Sequence, residues 1–429
     1  PLNLGSDGMK SIIVALVALV AGAFIGGFAL YSFMPPLTDV MARAAAFEGD
    51  RDYFFQNASE LYPTRTVASS EDSTPLPQVD GRLDGFTYMY EGETRQLADM
   101  YTEMETSGLI IIHDGQVVHE TYGRDANSGT RFTTWSLVKS ITSTLVGVAV
   151  ADGLIDSVDD QLVKYLPEIE GSAYDGVTIK QALQMSSGIR YDPNLWDGKM
   201  DDTVEFMTQS VVMGRAPAFD LAIKFKREYA PGTKFNYNTA ESQVLLELVR
   251  RVSDMDAADY LEQKLWRPLG MEHSGAWIID RPGADGAEVG GAMFNAALRD
   301  WARLGLFIEQ GGAWQGEQIL PSDWVDRATV SDEAHILPGE VHPNPNRGYA
   351  WHWWTYADGT FTASGANGQT LYIDRENDIV VARSSAWPEG YVRAHDDQSF
   401  AMYKALADWF AMDDASGGIG LEGIAAETP

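Results

Sequence analysis

The chain of 429 residues contains no cysteine. Disulfide bridges and thiolate metal sites are therefore excluded, and cysteine usage says nothing about redox compartment. Positive charge is scarce too. Thirty-one lysines and arginines face 62 aspartates and glutamates, a formal net charge of −31. So acidic a surface repels nucleic acid and anionic lipid headgroups, which sets polyanionic partners aside. A solvated surface suited to salty water is the plainer meaning of that charge. The seven histidines are scattered without ligand spacing, so no metal and no cofactor is expected. His-Glu-x-x-His, Gly-x-Ser-x-Gly and phosphate-loop patterns are all missing.

One long apolar run is present. Nothing between Ser11 and Met34 is charged, and as a helix that stretch exceeds the ~30 Å hydrocarbon core of a bilayer. Lys10 precedes it and Pro35-Pro36 ends it. The expectation is a single-pass anchor in the cytoplasmic membrane, with the rest of the chain on the periplasmic or extracellular side. A cleaved signal peptide is the rival, but no small-x-small site stands near residues 31–36. Ala18, Gly22 and Gly26 form a smooth stripe suited to a helix partner, in a homodimer or a membrane complex. Residues 1–8, ahead of Met9, are set aside from the fold or form a short cytoplasmic tail.

Residues 35–80 are polar and proline-rich toward their end and read as a stalk that wraps onto the domain. The domain itself is expected over 81–413, and a glycine-rich acidic tail over 414–429. Residues 109–113 and 116–120 flank Asp114-Gly115, the chemistry of a tight hairpin turn. A long apolar helix follows from Ser136 to Asp152. A mostly helical middle runs to about 310, and strands return over 348–356, 360–364, 369–374 and 379–384. Phe400 to Met412 reads as a closing helix. The expected fold is α+β: a largely antiparallel sheet built from both ends of the domain and covered by helices.

The chemistry concentrates in Ser136-Leu137-Val138-Lys139. Residues three apart share a helical face, which sets a hydroxyl nucleophile beside an amine. A lone Ser-x-x-Lys arises by chance in a chain of this size, and a capping serine with a solvated lysine is its bland meaning. The apolar residues after Lys139 favour burial instead, which lowers a lysine pKa. Pro231-Gly232 leads through a turn to Tyr237, a candidate proton relay that as an isolated tyrosine is more commonly core. Ala363-Ser364-Gly365-Ala366-Asn367-Gly368-Gln369 joins two strands. A backbone N–H near Gln369 can pair with that of Ser136 as an oxyanion hole, though a simple glycine bulge fits the same residues.

Taken together, the segments Phe132–Ser140, Ala182–Ile189, Phe235–Thr239, Gly290-Gly291-Ala292 and Arg299–Gly305 resemble the serine β-lactamase and penicillin-binding superfamily. The likeness is greatest to class C-like esterases and aminohexanoate-dimer hydrolases, and spans about residues 52–412. It implies Ser136 as acylated nucleophile, Lys139 as base, Tyr237 as proton relay, and the backbones of Ser136 and Gln369 as oxyanion donors. Two positions depart from the penicillin-recognising pattern. Ala366 stands where Lys or His would bind a substrate carboxylate, and Thr239 stands where an Asn is usual. Both favour a smaller ester or amide. Tyr191 and Trp196, on a lid over 191–199, and Asn367 and Gly368 are the candidate substrate contacts. Two alternatives remain: a D-amino-acid peptidase or β-lactamase, and a non-catalytic membrane-tethered subunit retaining the fold. The expected activity is a membrane-anchored serine hydrolase without cofactor.

Overall fold

A computed structural model describes residues 50–192 and 202–415. In chain order its principal elements begin with α1 (Arg51–Leu61), β1 (Thr64–Val67), β2 (Thr106–His113), β3 (Gln116–Tyr122) and β4 (Arg131–Thr133). Next come α2 (Val138–Ala151), α3 (Thr239–Ser253), β5 (Gly275–Ile278), β6 (Phe294–Ala297) and α4 (Leu298–Glu309). Last are β7 (Arg347–Tyr349), β8 (Trp354–Tyr356), β9 (Phe361–Ser364), β10 (Thr370–Asp374), β11 (Ile379–Ser385) and α5 (Arg393–Ala415).

The larger sheet has seven strands in the order β7-β8-β9-β10-β11-β2-β3. Every neighbour is antiparallel. Its centre joins the two ends of the domain, with Val381 opposite Ile111. Alternate side chains leave opposite faces of a strand, and here they feed two cores. Ile110, Ile112, Val380 and Ala382 pack with α2 and α4. Leu109, Ile111, Val381 and Tyr372 pack against Met402, Tyr403, Leu406 and Phe410 of α5. Asp114 and Gly115 both take positive φ, 48° and 69°, at the β2–β3 turn.

Helix α2 is buried along nearly its whole length, from Val138 to Ala149. It packs against α3, whose N-terminus is capped by Asn238 through the Ala240 N–H at 2.8 Å.

Several expectations change. The expected membrane helix finds no support: among the described residues no helix is long and apolar enough to cross a membrane. The apolar run 11–34, with its Ala18, Gly22 and Gly26 stripe, lies outside the described residues, as do Trp196 and most of the expected lid. The middle of the chain is not only helical. Strands β5 and β6 join β1 and β4 in a second, four-stranded antiparallel sheet. Every residue of β5 and β6 is buried, so neither strand shows the alternation that betrays a half-exposed one. Residues 51–67, within the expected stalk, form α1 and the edge strand β1. The single strand expected over 348–356 is two strands, β7 and β8, reversed through a turn where His352 has φ 63°.

Candidate active site

Ser136 lies in a single 3₁₀ turn, Trp135–Leu137, that leads directly into α2. Its side chain is half-buried. Lys139, one turn on, is only 1% exposed. Its Nζ stands 3.0 Å from Ser136 Oγ and donates to the Gly291 carbonyl at 2.5 Å. Burial, with no carboxylate to oppose it, lowers the amine to about 7. A large share of Lys139 is then neutral near pH 7 and able to accept the serine proton.

The seat for that amine comes from Gly290-Gly291. A Cβ on Gly291 would meet Thr239 Cγ2 at 2.5 Å and the Thr239 carbonyl at 2.9 Å, so only glycine lets this turn approach α3. The Gly290 N–H donates to Gln243 Oε1 at 2.9 Å, and the Gly290 carbonyl accepts from Thr142 Oγ1 at 2.9 Å. Segment 290–291 is thus pinned to both helices.

Tyr237 sits just before α3, half-buried. Its ring centroid is 5.0 Å from Lys139 Nζ. The ring stacks on Trp354 at 5.6 Å and meets Tyr349 edge-on at 6.2 Å. Burial pushes the phenol well above its ordinary value, and a hydrogen bond with Ser136 opposes this in part. Tyr237 therefore keeps its proton near neutrality. Asn236 holds the loop: its Nδ2 donates to the Ile189 and Tyr191 carbonyls at 3.1 and 3.0 Å.

His352 braces the floor. Its Nδ1 is 2.8 Å from the Leu183 carbonyl and its Nε2 2.9 Å from Ser242 Oγ. Its own carbonyl accepts from Ser140 Oγ at 2.6 Å. Burial first, then the nearby Lys139, lowers this imidazole to about 3, so it is neutral. Through its ring and its backbone carbonyl, His352 thereby ties the β7–β8 turn to α3 and α2.

Gln369 and Ser136 approach through Gly365. A Cβ on Gly365 would lie 2.2 Å from the Thr134 carbonyl and 3.0 Å from Trp135 Cβ. The Gln369 side chain is committed inward, donating to the Ser385 carbonyl at 2.6 Å and accepting from Ser384 Oγ at 2.7 Å. The whole residue is buried.

Tyr191, Asn367 and Gly368, three of the expected substrate contacts, also have partners within the fold. Tyr191 is buried edge-on against Phe225 at 5.1 Å. The Asn367 amide donates to the Trp387 carbonyl at 2.9 Å. Gly368 is buried with the Trp387 indole 2.6 Å from where its Cβ would be. Of Trp351, Trp353 and Trp354, the first two are core and only Trp354 faces the site. Sequence reading missed Gly291 as the lysine's seat, although Gly290-Gly291 is a visible signal. It also missed the loop-holding role of Asn236, although that residue lies in the Phe235–Thr239 segment, and His352, which carries no signal. Among the described residues no group of three or more His, Asp or Glu could hold a metal.

A Ser-Lys-Tyr constellation between an antiparallel sheet and a helical region defines a serine hydrolase of β-lactamase fold. Residues 95–402 match the Beta-lactamase family, and the chain belongs to it. The 6-aminohexanoate-dimer hydrolase of Paenarthrobacter ureafaciens is 27% identical over 350 residues, covering 78% of this chain and 85% of that enzyme. A Bacillus anthracis structure provisionally assigned as a 6-aminohexanoate-dimer hydrolase superposes with TM-score 0.75 at 22% identity, covering 84% of this chain and 94% of that one. A family VIII carboxylesterase structure gives TM-score 0.55 at 17% identity, with coverages of 72% and 95%. The protein is thus a serine hydrolase of amidase and esterase kind.

Proposed function

We propose that the protein cleaves a small ester or amide through an acyl-enzyme on Ser136. The observation that carries this is a buried lysine amine, lowered to about 7, at 3.0 Å from a half-exposed serine hydroxyl. Ser136 Oγ attacks the substrate carbonyl carbon while its proton passes to neutral Lys139. The resulting oxyanion is held by the N–H groups of Ser136 and Gln369. Gln369 has no exposed surface, so this second donor serves only once a carbonyl oxygen enters beside it. Tyr237 gives its proton to the departing amine or alkoxide as the scissile bond breaks, and Lys139 ammonium restores it. Water then attacks the acyl carbon, its proton is taken by the same basic pair, and Ser136 is released.

Similarity to a 6-aminohexanoate-dimer hydrolase supports a linear amide as one substrate class. No geometry favours a penicillin-type substrate. Thr239 is buried against Gly291, Asn238 is used as a helix cap, and Ala366 brings no charge. Fluorophosphonate labelling tests the reading: one adduct should form on the peptide containing Ser136 and vanish in Ser136→Ala. Unchanged labelling of that variant would refute it.

A further inference from the structure

Trp135, the residue before the nucleophile, has φ 46°. That left-handed conformation is costly for a bulky side chain and persists only where its surroundings impose it. Here they are two phenylalanines from α1. Phe54 stacks on the Trp135 ring at 5.8 Å with 25° between planes, and Phe55 meets it edge-on at 5.8 Å and 89°. Both are buried, at 1% and 2%.

The helix that carries them is firmly held. Asp50 caps it by accepting the Tyr53 N–H at 3.1 Å. Asp52 accepts from Ser107 Oγ at 2.8 Å and pairs with Arg124. Arg51 Nε donates to the Ala386 carbonyl at 3.3 Å. The same apolar cluster contains Val289, Ala292 and Met293, which flank Gly290-Gly291. One apolar cluster therefore brings together α1, Trp135 beside Ser136, and the residues that flank the seat of Lys139.

We infer that Phe54 and Phe55 are positioning residues that hold Trp135 left-handed and so fix Ser136 Oγ opposite Lys139. Helix α1, although it lies outside the region matching the Beta-lactamase family at 95–402, is then part of the catalytic apparatus. The inference rests on the acyl-enzyme reading above and adds residues to it.

The test uses the full chain and two readouts: the fluorophosphonate acylation rate per folded molecule, and hydrogen exchange of residues 131–140 compared with 239–253. In the Phe54→Ala/Phe55→Ala double variant acylation should fall roughly tenfold or more, because small misplacements of a nucleophile are expensive. Exchange should quicken over 131–140 and stay unchanged over 239–253. Phe54→Leu, which restores bulk, should recover part of the rate. Wild-type acylation by the folded double variant, or exchange that rises equally in both segments, would overturn the inference.

Should the double variant fail to fold, Trp135→Gly and Trp135→Ala decide. Glycine takes positive φ without steric cost, so it should acylate faster than alanine; equal rates, or a faster alanine variant, would overturn the inference. If wild-type Ser136 takes no probe at all, the acyl-enzyme reading fails, and the exchange contrast still decides whether α1 orders the nucleophile turn.

Discussion

Lys139 Nζ and the carbonyl oxygen of Gly291 lie 2.5 Å apart, joined across 152 residues of sequence. The carbonyl orients the amine yet brings only a dipole, not a countercharge. Lys139 is therefore held in place without being held protonated. A carboxylate in the same position would raise its pKa and remove the base.

Gly291→Ala tests that seat. The added methyl would press on Thr239 Cγ2 at 2.5 Å and approach Lys139 Nζ at 3.4 Å. Overpacking of this kind costs about 1–3 kcal/mol, measurable by urea unfolding. Acylation of Ser136 should slow as well, since the added methyl shifts the 291 carbonyl that orients the Lys139 amine.

Tyr237→Phe separates proton relay from packing. The ring keeps its stack on Trp354 and its edge contact with Tyr349, so thermal stability should stay near wild type. The leaving group loses its proton donor, and kcat should fall by roughly 10²–10⁴. The loss should be greater for amides, whose amine leaves poorly, than for activated aryl esters. Steady-state kinetics on both substrate types gives the comparison.

How far could the sequence be read? Ser136 and Lys139 were legible because helical spacing alone sets them side by side. The large sheet was legible because Leu109–His113 and Ile379–Ser384 are strongly apolar and end in clear turns. The small sheet was hidden. Gly275-Ala276-Trp277-Ile278 and Phe294-Asn295-Ala296-Ala297 are short and buried throughout, so neither shows a period of two. Gly365 and Gly291 act through close backbone approach, and the neighbour that demands glycine is remote in sequence. Helix α1 was obscured by its surroundings, since its two phenylalanines gain meaning only against Trp135.

Two histidines make a defined, acid-sensitive contribution to stability. Burial lowers both His342, aided by Arg347, and His352 to about 3, whereas an unfolded histidine titrates near ~6.5. As pH falls through that window the unfolded chain binds protons that the folded chain refuses. Their contribution to stability is thus full above pH ~6.5 and declines toward pH ~3, by up to about 2.7 kcal/mol per pH unit for two such groups; the Glu241 and Glu309 carboxyls, raised by burial, act in the opposite direction. Urea midpoints across this range, compared between wild type and His342→Gln, should differ by about half of that histidine contribution.

Fluorescent penicillin should leave Ser136 unlabelled under conditions where fluorophosphonate labels it. Ala366 offers no cation for a substrate carboxylate, and Thr239 is turned against Gly291. Stable penicillin acylation at Ser136 would instead favour cell-wall chemistry.

The most direct measurement is the rate of Ser136 acylation against pH. A lysine lowered to about 7 by burial should give a rate that climbs through neutrality and levels off above it, with the limb absent in Lys139→Ala. A rate that ignores pH between 6 and 9, or one that begins to climb only near ~10 where ordinary lysines titrate, would contradict a neutral amine at the nucleophile.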